Sequence, residues 1–278
     1  CTIINGKSGR CSENCKFCAQ SAHNHTDVDT YPLLSKEEIL ADAKKQAAQG
    51  VLRYSIVTAG KALSDAEIDI MCDTIRQIRQ ETTLSVCVSF GLLTESQFCR
   101  LKETGVSRVH NNLETSERHF PNICTTHTFA DKVSAIQAAQ QAGLTVCSGG
   151  IMGMGETMAD RIDMALALRD LGITSVPVNV LNPIPGTPFG EYPTLSEEEV
   201  LGILALYRFL LPAASIRMAG GRGLLPDGGK SCFLSGANAA ITGDMLTTAG
   251  ITVQTDLQML TELGYEVKLD ETTDDHRH

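Results

Sequence analysis

The sequence predicts an α/β fold, a (β/α)8 barrel of the TIM type, and three observations carry that expectation. Short apolar, β-branched runs alternate with helical stretches along the whole chain, which implies right-handed crossovers and a parallel sheet. The runs number eight, enough to close a barrel, and no G-x-G-x-x-G follows the first of them as an open dinucleotide-binding sheet would require. The length of 278 residues fits one such barrel, typically about 250 residues, better than two domains.

The expected strands are Cys1–Asn5, Arg53–Thr58, Leu84–Ser89, Arg108–Leu113, Leu144–Ser148, Val176–Leu181, Ile216–Ala219 and Ala239–Thr242. Helix starts between them are readable. Ser35 with Glu38, Ser64 with Glu67, Thr94 with Gln97 and Ser196 with Glu199 have the capping-box form, in which a hydroxyl accepts an early amide and the acid or amide side chain reaches back. Gly50, Gly105, Gly143, Gly172 and Gly250 follow helical stretches, where a left-handed cap favours glycine. Residues 1–269 are expected to form one domain, and the charged tail Asp270–His278 to be frayed.

Composition excludes several functions. A net charge of −10 with no basic run repels nucleic acid and acidic membranes. Trp is absent and aromatics are 5% of residues, too few for a base-stacking platform. No apolar run approaches the roughly 20 residues of a membrane-spanning helix. The chain opens on Cys1 and not on Met, so residues upstream are expected and a signal peptide there is left open. Ten cysteines in a chain with a normal apolar fraction of 42% point to metal binding or redox chemistry more than to a disulfide framework.

The strongest motif is Cys11-Ser-Glu-Asn-Cys15-Lys-Phe-Cys18, a C-x3-C-x2-C directly after the first strand. Three thiolates so spaced can wrap a cuboidal cluster and ligate three of its irons, leaving the fourth open for a small molecule. A zinc site using His23 or His25 as fourth ligand is the competing reading. Cys72 and Cys99 fall on helices and read as core, Cys232 as structural, and Cys124 lies in a loop near the catalytic face as a lesser ligand candidate.

With its extension through Ala19-Gln-Ser21, this motif resembles the biotin synthase family of the radical S-adenosylmethionine (radical SAM) superfamily. So do the segments His110–Ser116, Val146–Glu156, Ile216–Arg222 and Cys232–Asn238. The resemblance implies the radical SAM fold and a [4Fe–4S] cluster on Cys11, Cys15 and Cys18. It also implies reductive cleavage of S-adenosylmethionine to a 5′-deoxyadenosyl radical, and insertion of sulfur into dethiobiotin. For S-adenosylmethionine it points to Phe17 beside the adenine, Gly149 and Ile151 from Gly149-Gly-Ile-Met-Gly-Met-Gly-Glu156, and Lys132 for the methionine carboxylate. Asn112 and Glu114 share one side of the fourth strand end, and Glu114 is the ribose candidate, where the family usually carries Asp. For dethiobiotin, Asn112 and Asn179 suit the urea, and Thr247 and Thr248 match a carboxylate-binding pair. No side chain is assigned as a catalytic acid or base.

The family also carries an auxiliary cluster inside the barrel. Cys87, Cys147 and Arg217 match three of its usual ligands, but Ser55 stands at the fourth position, and serine is a poor iron ligand. Cys1 on the first strand is the expected compensating thiolate. The nuclearity is left open, a four-iron form with an extra sulfide being one option. The resemblance further implies an electron donor such as a flavodoxin or ferredoxin, a homodimer and a cytoplasmic location. The rivals are another radical SAM enzyme, hydrogenase maturase-like or mutase-like, and a non-catalytic zinc or iron–sulfur protein.

Overall fold

The computed structural model describes residues 1–269; the tail Asp270–His278 lies outside the described residues. Strands and helices alternate as β1 (Thr2–Lys7), α1 (Lys36–Ala48), β2 (Arg53–Thr58), α2 (Asp65–Glu81), β3 (Ser85–Ser89), α3 (Glu95–Glu103), β4 (Val106–His110), α4 (Phe129–Gln141), β5 (Thr145–Cys147) and β6 (Gly150–Met152). They continue as α5 (Met158–Asp170), β7 (Ser175–Val180), α6 (Glu197–Leu210), β8 (Ser215–Met218), α7 (Lys230–Leu234), β9 (Ala239–Ala240) and α8 (Val253–Glu262). Every strand pair is parallel, in the order β1-β2-β3-β4-β5-β7-β8-β9 with β6 beside β7. The sheet curls until its ends touch: the Thr242 amide donates to the Cys1 carbonyl at 2.8 Å.

The four expected capping boxes are all present, and Thr128 with Asp131 and Thr157 with Asp160 add two more. In these two, Asp takes the role usually held by Glu or Gln, so the usual pattern does not mark them. Gly50, Gly105, Gly143 and Gly172 take positive φ after their helices. Gly250 does not. It lies in the loop after β9, where no helix precedes it, and its Cβ would collide with the Gly243 carbonyl. The expected fifth strand is split into β5 and β6. Pro177 in β7 has no N–H to offer, so pairing stops at Cys147–Ser175 and resumes at Gly150–Val178. The expected fourth strand begins earlier, at Val106, and ends at His110, and the last strand has only two residues.

Alternation along each strand sorts two interiors. Tyr54, Ile56, Val86, Val88, Val109, Val146, Val176, Val178, Ile216 and Met218 belong to the main apolar core with Ile39, Ile68, Met71, Ile75 and Ile78 from the helices. The intervening residues Arg53, Ser55, Cys87, Arg108, Cys147 and Ser175 are buried but lie outside that core, so they face the lumen. A lumen of arginine, serine and cysteine is expensive to bury without a charge or ligand to satisfy it. Among the described residues no helix is long and apolar enough to cross a membrane.

Candidate active site

The three-cysteine loop leaves β1 and is fixed by its own backbone. The Cys11 amide donates to Gln20 O at 2.9 Å and the Ala22 amide to Cys11 O at 2.8 Å. Asn24 Nδ2 donates to the carbonyls of Cys15 (3.2 Å) and Cys18 (2.8 Å). The loop thus spends its amides and carbonyls on shape and leaves its sulfurs uncommitted to disulfides; all three thiols are free and half-buried. Burial pushes the Cys18 thiol up to about 11, and the neighbouring Cys11 thiol and Glu114 carboxylate add to the rise. A cationic centre is what would reverse that cost, so the donor set fits a thiolate-bound metal cluster.

Cys11, Cys15 and Cys18 do not converge on one point as a single tetrahedral ion requires. Among the described residues, the group of ligand atoms that does converge is Cys15, Cys124 and His127. His23 and His25 are not in it; His23 Nε2 instead lies 3.0 Å from the Ser12 carbonyl. The zinc reading with either histidine as fourth ligand therefore finds no support in the geometry.

The carboxyl ends of β4 and β5 meet the loop. Glu114 has a φ of 71°, an uncommon conformation for a side chain with Cβ. It is held there because its amide donates to Gly149 O (3.0 Å) and its carbonyl accepts from the Ile151 amide (2.9 Å). Its carboxyl is raised by burial, against the pull of Lys132, His110 and the Asn112 amide. Asn112 Nδ2 donates to Glu114 at 3.3 Å and Asn112 Oδ1 accepts from the Gly149 amide at 3.0 Å. Lys132 is half-buried and donates to Asn111 Oδ1 at 3.2 Å; it is a site-facing charge, not a solvated one.

Gly149 and Gly150 are required by the protein itself. A Cβ at Gly149 would lie 1.9 Å from Pro177 O, and one at Gly150 would lie 2.3 Å from Glu114 O. Beyond them, Glu156 accepts from the amides of Gly153 (2.8 Å) and Met154 (2.6 Å) and pairs with buried Arg161 at 2.7 Å. Phe17, Ile151 and Cys15 all pack on a small apolar cluster of Phe120, Ile123, Cys124, Met154, Leu181 and Phe189 at this end.

Asn179, on β7, donates to Gly150 O (3.1 Å) and accepts from the Gly220 amide (2.9 Å). One hydrogen and one lone pair remain on its amide. Thr247 and Thr248 sit in the loop after β9, which Asn5 Nδ2 ties down through Leu246 O at 3.2 Å.

Deeper in the lumen, Ser175 Oγ lies 3.3 Å from Cys147 Sγ, 3.4 Å from Arg108 and 3.5 Å from Arg217. Burial opposes ionisation of Cys147, but the His110 imidazole with Arg217 and Arg108 outweighs it and holds the thiol down at about 6. Cys87 is raised by burial and by Cys147, against Arg53 and a hydrogen bond from Ser55. Cys87, Cys147, Arg108 and Arg217 are therefore one electrostatic group. Cys1 borders the same guanidiniums: it lines a cavity of about 580 Å³ with Arg53, Arg108 and Arg217, and its thiol reaches Thr2 O at 3.5 Å. Arg53, Arg108 and His110 belong to this group although the sequence alone assigns them no role. Cys72 and Cys232 are buried as expected, whereas Cys99 is only half-buried.

Comparison with known proteins agrees with this geometry. Residues 7–168 match the model of the Radical SAM superfamily, and residues 177–266 match the Biotin and Thiamin Synthesis associated domain. The biotin synthase of Brachyspira hyodysenteriae is 60% identical over 271 residues, 98% of this chain and 81% of that protein. That of Akkermansia muciniphila is 58% identical over 269 residues, 97% of this chain and 84% of the relative. Among solved structures, methylornithine synthase superposes with a TM-score of 0.82 at 19% identity, covering 96% of this chain and 82% of that one. HydG, a maturase of the [FeFe]-hydrogenase, gives 0.80 at 17% identity, covering 95% and 62%. At such identities these two speak for the fold alone.

Proposed function

The chain belongs to the biotin synthase family within the radical SAM superfamily, and from that premise we propose how its residues bring dethiobiotin, S-adenosylmethionine and sulfur together. The single observation that carries the reading is the meeting of the cysteine loop with the strand ends, where Cys15 and Phe17 of the loop pack on the same apolar cluster as Ile151.

Cys11, Cys15 and Cys18 would hold a [4Fe–4S] cluster, which when bound supplies the electron that cleaves S-adenosylmethionine. Around it, Glu114 accepts the ribose hydroxyls, fixed in place by its backbone bonds to Gly149 and Ile151. Lys132 offers its ammonium to the methionine carboxylate. Phe17 and Ile151 give the adenine an apolar seat, and the Glu156–Arg161 pair keeps the following turn rigid. Asn112 and Asn179 hold the urea of dethiobiotin with the donors and acceptors their internal bonds leave over. Thr247 and Thr248 receive its carboxylate. Placing the two ligands in contact and excluding water is the barrel's contribution.

Cys87, Cys147 and Arg217, completed by Cys1, would hold an auxiliary iron–sulfur cluster that supplies the sulfur. Three guanidiniums at the lumen, Arg53, Arg108 and Arg217, suit an anionic, sulfide-rich guest, and Ser55 hydrogen-bonds Cys87 in place of a fourth thiolate. An electron donor such as a flavodoxin or ferredoxin, a homodimer, one domain over residues 1–269 and a cytoplasmic setting complete the reading.

The test is anaerobic incubation of the reduced, reconstituted protein with S-adenosylmethionine and dethiobiotin. Biotin together with 5′-deoxyadenosine is the expected result. Formation of 5′-deoxyadenosine without biotin would keep the superfamily and reject the substrate.

A further inference from the structure

At the cysteine loop lies a second constellation, two of whose three members the activity above does not use. Cys15, Cys124 and His127 bring two sulfurs and an imidazole nitrogen within 4.8 Å of one another. Cys15 Sγ is 3.7 Å from Cys124 Sγ, across 109 residues of sequence. Cys124 Sγ is 3.3 Å from His127 Nδ1.

Both new members are held firmly. Cys124 is packed among Phe120, Ile123, Met154, Leu181 and Phe189. The His127 ring stands edge-on to Phe120 with centroids 5.6 Å apart; its Nδ1 also lies 2.6 Å from Glu13 Oε2, which accepts from Thr126 Oγ1 at 2.8 Å, and coordination through Nδ1 would replace the Glu13–His127 hydrogen bond. A metal–sulfur bond of about 2.3 Å and a metal–nitrogen bond of about 2.0 Å place the ligand atoms of a tetrahedral ion roughly 3.5–4 Å apart. The Cys15–Cys124 separation falls in that range and the Cys124–His127 separation is slightly shorter, so small side-chain shifts would complete the geometry.

We propose that, in the chain without its cluster, Cys15, Cys124 and His127 form a mononuclear site for a thiophilic divalent cation, ferrous iron or zinc. Two thiolates and an imidazole are the donor set such ions select. Binding ionises Cys15 and Cys124, whose two protons pass to solvent, and no electron is transferred. The site itself stands apart from the assignment of Cys11, Cys15 and Cys18 to a [4Fe–4S] cluster; only its consequence rests on that reading. Because Cys15 cannot serve both, occupancy of this site and a complete loop cluster exclude each other. Ferrous iron here is a first iron already in place beside the loop, and zinc here is an obstacle to assembly.

The probe is cobalt(II), titrated anaerobically into the cluster-free full chain and followed by its thiolate charge-transfer and ligand-field bands. Wild type and the Cys11→Ser/Cys18→Ser double variant should bind one cobalt alike. Cys124→Ala and His127→Gln should each bind at least about tenfold more weakly, as loss of a ligand or its support requires. His127→Gln leaves the apolar pocket around Cys124 intact, so a packing defect in Cys124→Ala cannot mimic the result. Zinc loaded beforehand should slow cluster reconstitution in wild type and not in Cys124→Ala. Cobalt bound undiminished by both Cys124→Ala and His127→Gln, or lost in the double loop variant, overturns the site. Neither readout depends on biotin formation, so failure here leaves the proposed activity untouched, and failure of that activity leaves this site standing.

Discussion

The two sets of cysteines proposed to carry iron are gathered in opposite ways. Cys11, Cys15 and Cys18 lie within eight residues of one loop, whose backbone bonds to Gln20, Ala22 and Asn24 fix it locally. Cys1 immediately precedes β1, while Cys87 and Cys147 come from β3 and β5 and share one lumen only because β4 pairs with both. A loop set survives small shifts of the sheet, whereas a one-residue slip of any strand would turn its lumen cysteine toward the helices. The loop set should therefore behave as an all-or-none unit, and the lumen set as a part that can fail while the rest works.

Replacing Cys18 by Ala gives the largest effect this contrast predicts. Both 5′-deoxyadenosine and biotin should fall to background, with about four irons lost per chain, as measured by product chromatography and metal analysis. Cys147→Ala should separate the two products: 5′-deoxyadenosine continues to form while biotin does not. Equal loss of both would erase the distinction between the sets.

A smaller effect is expected where a side chain orients substrate without holding a cluster. Asn179→Ala removes an amide tied to Gly150 and Gly220. It should raise KM for dethiobiotin about tenfold with cleavage of S-adenosylmethionine retained, the equivalent of one lost polar contact.

The smallest effect lies in the scaffold behind the loop set. Asp160 caps α5 through Thr157 and accepts from Ser116 Oγ (2.7 Å) and Arg118. Burial opposes its charge, but the Thr157, Ser116 and Arg118 donors win and hold its carboxyl well below the usual aspartate range. A depressed carboxylate stabilises the fold at pH above its unfolded value. That contribution is lost as pH falls through the ordinary aspartate range toward the depressed one. Asp160→Ala should cost about 2 kcal/mol at neutral pH in thermal unfolding, and the difference from wild type should shrink on acidification.

The same contrast explains what could be read before the fold was known. Cys11, Cys15 and Cys18 announce themselves by spacing alone, and the capping boxes at Ser35, Ser64, Thr94 and Ser196 mark helix starts because the residues involved are three apart. Cys87 and Cys147 were found through a family resemblance. Their electrostatic neighbours Arg53, Arg108 and His110 were not, because sequence shows that a residue alternates but not which charges the barrel brings opposite it. The split of β5 from β6 escaped for a related reason: its cause is Pro177, a residue on the neighbouring strand. Sequence marks Cys124 as a loop cysteine, yet its contact with Cys15 and the Glu13–His127 pair depends on packing between two distant loops.

Iron and sulfide counts on anaerobically reconstituted variants test most directly whether the chain holds two separate cysteine-bound iron sites. Wild type should exceed both the Cys11/Cys15/Cys18→Ala variant and the Cys1/Cys87/Cys147→Ala variant, with the loop variant losing about four irons and the lumen variant losing the rest. A lumen variant that retains the full wild-type iron and still forms biotin would contradict two separate sites.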